Sequence, residues 1–147
     1  MNKIIGLTGE NCAGKGAAAD ILRGKGFSYY SLSDIVREEA AKRGVSQSRS
    51  NLIDVGNSLR NAEGAGVLAL RTLAKISGPA IVDSIRNPEE IRVLRSSSEF
   101  ILLGITADRK VRFQRMLSRN RDGDPDTFEE FVRTEEAEMT SSACAQQ

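Results

Sequence analysis

The sequence predicts an α/β fold built on a parallel sheet with helices on both faces. Three observations predict it. Four short apolar runs alternate along the chain with longer segments of helical character, as parallel pairing requires, because neighbouring parallel strands must be joined by crossovers. The first run enters a glycine-rich turn and then a helix, the opening of a strand-loop-helix unit. The fourth, FILLGITA over 100–107, is unbroken in its apolar character, the pattern of a strand covered on both sides.

The elements follow in order. Residues 4–8 (IIGLT) read as a buried strand. A helix is predicted from Ala17 to Arg23, with Ala18, Ile21 and Leu22 on its apolar side and Gly24 and Gly26 stopping it. The aromatic-rich FSYYSL (27–32) reads as a second strand. Ser33 is placed to cap the helix of SDIVREEAAKRG, which Gly44 ends. From Ser50 to Gly78 the chain reads as two helices with a hinge at Gly64 and Gly66. AIVDSI (80–85) reads as the third strand. Asn87 as cap, Pro88 in the first helical position and Glu90 beyond them predict a capping box. After the fourth strand comes a basic helix, DRKVRFQRMLSRNR, with Phe113, Met116 and Leu117 for the core. The turn DGDPD leads to a final helix capped by Thr127 and Glu130, whose acids Glu129, Glu130, Glu135, Glu136 and Glu138 read as a solvated face. The ending TSSACAQQ, which holds Cys144, is polar and has no strand pattern.

The length of 147 residues predicts one domain, and 39% apolar residues are enough to bury a core. A net charge of +1 provides no global field to recruit nucleic acid or an acidic membrane surface. Two cysteines give no disulfide framework. The apolar stretch at the N-terminus is too short for a signal peptide or a membrane span, so a cytoplasmic protein is expected. The chain has no histidine, which excludes imidazole as base or ligand.

The stretch IIGLTGENCAGKGAAADIL carries the chemistry. Gly9, Gly14 and Lys15 fit G-x-x-x-x-G-K, with Asn11, Cys12 and Ala13 between the glycines, a strand before and a helix after. Successive backbone N–H groups in such a turn line a concave nest, and the helix N-terminus adds partial positive charge. Lys15 adds a full charge for the outer phosphates of a nucleotide. A merely tight strand-to-helix turn would leave Lys15 unexplained. The next positions are Gly16 and Ala17, where most such loops place a hydroxyl for Mg²⁺.

The G-K-G triplet resembles that of adenylate kinases, which follow it with threonine where this chain has Ala17. Other segments extend the likeness. YYSLSDIVREEA, NLIDVGNSLR, IVDSIRNPEE and DRKVRFQRMLSRNRD resemble, respectively, the acceptor-monophosphate border, the mobile acceptor helices, the strand end near the metal, and the arginine-bearing helix and lid. The chain therefore resembles the nucleoside-monophosphate kinase-like branch of phosphate-loop NTPases. Dephospho-coenzyme A kinase belongs to that branch, and similar domains precede some deoxycytidylate deaminases.

The resemblance implies a three-layer sandwich, a transferase using ATP and Mg²⁺, and a set of roles. Gly9, Asn11, Cys12, Ala13, Gly14, Lys15, Gly16 and Ala17 would hold the ATP phosphates, with Arg115 and Arg119 turned to ATP. Asp34, Arg37, Arg60 and Arg86 would hold the acceptor, and Asp83 would bind Mg²⁺ through water. Lys15, Arg86 and Arg115 would act in catalysis, with Asp34 as base for a hydroxyl acceptor. Each has a plainer alternative: Asp83 as a cap for the helix at Pro88, Arg86 paired with Glu89 or Glu90, Asp34 with Arg37 as a surface pair, and Arg112, Arg115 and Arg119 as a solvated face. Helical insertions at about 44–76 and 119–126 would close over the site.

Two other readings stay open. The loop could bind nucleotide without transfer, as a regulatory module of a larger nucleotide-metabolism protein, which the missing hydroxyl favours. Alternatively the fold could be a degenerate scaffold kept for dimerisation. The family's usual fifth strand has no counterpart in 138–147, so a four-stranded, C-terminally truncated domain is expected. Its 100–107 edge would then meet a homodimer partner or a fused domain. Expected ligands are nucleotide substrates, with no nucleic acid and no membrane.

Overall fold

The computed structural model describes residues 2–145, with side chains through residue 137. Among the described residues, four strands and seven helices alternate from β1 (Lys3–Gly9) to α7 (Phe128–Ala145). Between them come α1 (Lys15–Gly24), β2 (Ser28–Ser31), α2 (Leu32–Lys42), α3 (Arg49–Glu63) and α4 (Val67–Leu73). Then follow β3 (Ala80–Asp83), α5 (Pro88–Ser97), β4 (Glu99–Ile105) and α6 (Arg109–Arg119). The strands form one parallel sheet in the order β2-β3-β1-β4.

Alternation of side chains sorts the strand residues onto two faces. Ile4, Ala80, Val82 and Phe100 lie on the face covered by α2–α5, where Leu32, Ile35, Val55, Leu59, Leu68 and Leu94 complete the larger core. Ile5, Leu7 and Ile81 lie on the other, under Ala19 and Leu22 of α1. A smaller cluster joins Phe113 and Met116 of α6 to Phe131 of α7 and to Cys12 of the glycine-rich loop. That cluster seats the basic helix against the loop.

The two-faced cover expected for the fourth strand holds for β1 and β3 but not for β4. β4 is the sheet edge, and Ile101 is 51% and Leu103 38% exposed. An apolar run reports β-propensity and one buried face; it does not report the strand's place in the sheet. Boundaries shift too. The second strand ends at Ser31, so Ser31 rather than Ser33 is the N-cap of α2. The third strand stops at Asp83, and the first helix begins two residues early, at Lys15. Leu117 is exposed instead of buried. The polar tail prolongs α7 to Ala145. The side chains of Glu138 and Cys144 lie outside the described residues.

The capping box of α5 forms as expected: Asn87 accepts from the Glu90 amide at 3.0 Å and Glu90 accepts from the Asn87 amide at 3.2 Å. At α7 only half of one forms. Thr127 accepts from the Glu130 amide, while the Glu130 carboxylate receives the Asp126 amide instead of that of Thr127. No helix among the described residues is long and apolar enough to cross a membrane.

Candidate nucleotide-binding site

Because all four strands are parallel, the segments that follow Gly9, Ser31, Asp83 and Ile105 leave the sheet at one edge. Open α/β sheets bind their ligands there. The glycine-rich loop spans that edge from β1 to α1. Gly9 has φ 147°, and a Cβ on it would lie 2.0 Å from the Ile105 carbonyl oxygen, so only glycine fits beside β4. Gly14 caps α1 in the left-handed region at φ 112°, and Cys12 also sits at positive φ, 61°. The Ala18 amide donates to the Gly14 carbonyl at 3.1 Å. The amides of Lys15, Gly16 and Ala17 therefore stand ahead of the first full turn, where helix N–H groups are left for a ligand. The Lys15 ammonium lies along the loop and donates to the carbonyls of Gly9 at 2.7 Å and Glu10 at 3.2 Å.

The three arginines expected on one face of the basic helix take three different partners. Arg112 is 4% exposed and grips Glu135 with both terminal nitrogens, the second at 3.0 Å. Glu135 therefore belongs to a largely buried pair, with Arg112 its buried member, and not to a solvated face. The Arg112 hydrogen bond holds the Glu135 carboxyl below its usual range. Arg115 reaches the loop and donates to the Cys12 carbonyl at 3.0 Å. Arg119 makes two 2.8 Å bonds to Asp124, from the segment between α6 and α7. Those bonds lower the Asp124 pKa and raise that of Arg119.

Along the same edge, beyond β2, Arg37 pairs with Asp34 at 2.8 Å and donates to the Ser33 hydroxyl at 3.1 Å. Ser31, Ser33 and Ser84 bring their hydroxyls together, the closest pair at 2.7 Å. Arg60 and the backbone of Arg86 meet on one carboxylate. Glu90, which is 0% exposed, accepts from the Arg86 amide at 2.7 Å and from Arg60 Nη2 at 3.4 Å. The Arg60 Nε is buried and has no hydrogen-bond partner. Asp83 ends β3, and both its oxygens are engaged: Oδ2 accepts from the Tyr29 hydroxyl and Oδ1 from the Ser84 amide, each at 2.7 Å. Burial first, and then the Asp83 hydrogen bond, push the Tyr29 phenol up to about 12.

These contacts join Arg115 to the loop, Asp34 to Arg37, and Arg60 to the Arg86 backbone through Glu90. Tyr29, Ser84 and Asp124 have no role legible in the sequence, where Glu90 reads as a cap and as one of two partners for Arg86. One signal was available for Ser84. An acid followed by a small polar residue where a strand yields to a loop marks a tight exit, and Ser84 takes it in the left-handed region at φ 64°. A surface depression of about 490 Å³ on α5, lined by Pro88, Ile91, Arg92, Arg95 and Ser96, contains none of the candidate residues.

The residues present suit Mg²⁺ in the manner that ion prefers. Among the described residues no three Asp, Glu, Cys or His side chains gather into a cage. Mg²⁺ is commonly held by one or two carboxylates, substrate phosphates and retained waters. Asp83, a lone oriented carboxylate at the edge where the loop opens, fits that pattern.

This geometry agrees with comparisons to known proteins. A family model described as an AAA domain matches residues 8–132. The chain belongs to that family. This AAA domain is 34% identical over 140 residues to a UPF0200 protein of Hyperthermus butylicus, covering 92% of the present chain and 75% of the relative. Among solved structures, TT1252 from Thermus thermophilus is similar with a TM-score of 0.56 and 20% identity, covering 99% of this AAA domain and 81% of that chain. A chain of the Pnkp1/Rnl/Hen1 RNA repair complex gives a TM-score of 0.58 at 9% identity, covering 99% and 46%. At such identities the structural likeness extends to the fold alone, an α/β domain with a parallel sheet.

Proposed function

We propose that this chain is an ATP-dependent phosphotransferase acting on a nucleotide-like acceptor, with a (deoxy)nucleoside monophosphate as the first candidate. The observation that carries it is the glycine-rich loop with Lys15 inside it and Arg115 bonded to its Cys12 carbonyl, at the sheet edge that also carries Asp83. The loop amides and Lys15 bind the outer phosphates of ATP. Lys15 and Arg115 stabilise charge on the transferring group, whose bond to the β-phosphate oxygen breaks as one to the acceptor oxygen forms. Mg²⁺, when bound, would neutralise phosphate charge beside Asp83. Arg37, Arg60 and Arg86 orient the acceptor. The 119–126 segment, held together by the bonds of Arg119 to Asp124, would close over ATP.

A phosphate monoester is already anionic and needs no base. A hydroxyl acceptor, as in a dephospho-coenzyme A kinase-like enzyme, would need one, for which Asp34, paired with Arg37 at 2.8 Å, is the candidate. The test is single-turnover transfer from labelled ATP to a panel of nucleoside monophosphates. Absence of labelled diphosphate across the panel would sink the reading.

Arg86→Ala should weaken the acceptor more than ATP. A hydrogen bond to a charged group is worth roughly 1.5–3 kcal/mol, so the acceptor constant should rise about ten- to a hundredfold. Should the ATP constant move and the acceptor constant stay, the two phosphate sites are assigned the wrong way round.

A second reading, a nucleotide-binding module without transfer, draws on the missing hydroxyl at Gly16 and Ala17. The structure makes this testable, because a Cβ at Gly16 would meet nothing within 4 Å. Gly16→Ser should therefore fold and place a hydroxyl in the first turn of α1. For a transferase adapted to glycine, the transfer rate should change only severalfold. For a module that lost transfer at this position, labelled product should emerge from a zero background while ATP affinity barely changes. Transfer by the unmutated chain eliminates the module.

A further inference from the structure

We propose that Tyr29 is a positioning residue for Asp83, fixing the carboxylate that would meet the metal of the nucleotide complex. The inference rests on the reading of Asp83 as the metal-side carboxylate. It begins with strand pairing. β2 and β3 are parallel, with Tyr29 opposite Ile81 and Ser31 opposite Asp83. Alternation then puts Tyr29, Ile81 and Asp83 on the same face of the sheet, the face under α1. The tyrosine leans one step along the strand and its hydroxyl meets Asp83 Oδ2 at 2.7 Å.

Both ends of this contact are held. The Tyr29 ring packs with Leu7, Ala19 and Ile81, and the Arg23 guanidinium of α1 stacks 4.6 Å from its centroid. The phenol therefore cannot swing away without leaving a core. The other carboxylate oxygen receives the Ser84 amide, also at 2.7 Å, from a residue held at φ 64°. A serine in the left-handed region persists where its surroundings over-determine it. An ionised carboxylate offers about four lone-pair sites. Two are taken here, one on each oxygen, so neither oxygen is bare for tight bidentate chelation. One lone pair on each remains to accept from a water of the metal's shell. A carboxylate so oriented suits Mg²⁺, which gives up its waters reluctantly. Hydrogen-bond partners of metal-side ligands typically carry ten- to hundredfold effects on metal affinity.

The test uses the full chain, Mn²⁺ as the paramagnetic probe and the β,γ-imido analogue of ATP. Free and bound Mn²⁺ are counted by electron paramagnetic resonance for the wild type, Tyr29→Phe and Asp83→Asn. Tyr29→Phe keeps the ring and removes only the donor. It should weaken Mn²⁺ in the ternary complex about tenfold, leaving metal-free analogue affinity within error of the wild type. Asp83→Asn should lose more. Wild-type Mn²⁺ affinity in Tyr29→Phe, beside a loss in Asp83→Asn, overturns the role of Tyr29 alone. Wild-type affinity in both variants overturns the metal assignment of Asp83 as well. A second measurement protects against an unstable Tyr29→Phe. The chain has two tyrosines and no tryptophan, so in Tyr30→Phe the near-ultraviolet tyrosine signal is that of Tyr29. Mg²⁺ added with the analogue should shift that signal beyond the effect of the analogue alone, and an unchanged spectrum counts against the proposal.

Discussion

Replacing Lys15 with alanine is expected to weaken ATP binding about a hundredfold, the upper end of the effect of removing a charge-assisted hydrogen bond. The loop amides survive the change, because the backbone geometry is set by Gly9, Gly14 and the turn of Ala13 onto Glu10 at 3.2 Å. The only full positive charge within the loop is lost. The Lys15 ammonium now rests on the Gly9 and Glu10 carbonyls, neutral acceptors that a phosphate oxygen outbids electrostatically. The substitution should leave stability nearly unchanged, since an exposed side chain bonded to carbonyls contributes little. Calorimetric titration with ATP, beside a thermal melt, separates the two effects. Equal ATP affinity in mutant and wild type would remove the foundation of the phosphate-loop reading.

Glu135→Ala is expected to cost about 3 kcal/mol of folding stability, because it strands Arg112 in a buried position without its counter-charge. In a domain of this size that lowers the melting temperature by roughly 10 °C. The ion pair also clamps α6 onto α7 and, through Phe113 and Met116, onto Cys12 of the loop, so nucleotide affinity should fall with stability. The pH dependence has a definite sign. The folded-state pKa of Glu135 lies below the unfolded value, about 4.5, because Arg112 bonds the ionised form. Its contribution is complete above that unfolded value and fades as pH falls through the folded one. Denaturant titrations of wild type and Glu135→Gln should therefore converge toward acid pH and diverge toward neutral. A stability gap that stays constant from neutral to acid pH would show that the pair does not act through charge.

What could be read along the chain was what neighbouring residues fix between themselves. The strand, turn and helix around Gly9–Lys15 lie within a short segment, and glycine is required there by backbone geometry that the spacing itself dictates. The capping box at Asn87 and Glu90 was legible for the same reason: donor and acceptor are three residues apart. The alternation of apolar runs with helical segments gave four strands and their parallel sense, because short turns cannot join parallel strands.

The tertiary structure decided everything that depends on which strand lies beside which. Sequence order does not contain the order β2-β3-β1-β4, so the unbroken apolar run of β4 gave no warning that it forms an edge. Tyr29 meets Asp83 across 54 residues, Arg60 meets Glu90 across 30, and Arg112 meets Glu135 across 23. Hydrophobic period and charge pattern average over a local window. An arginine in a basic run looks the same whether it will face water, a phosphate or a buried carboxylate. The sequence by itself determined a phosphate-binding loop on a parallel α/β sheet. Only the packed chain decided which partner each arginine meets, because a charge commits to the counter-charge that folding brings within reach.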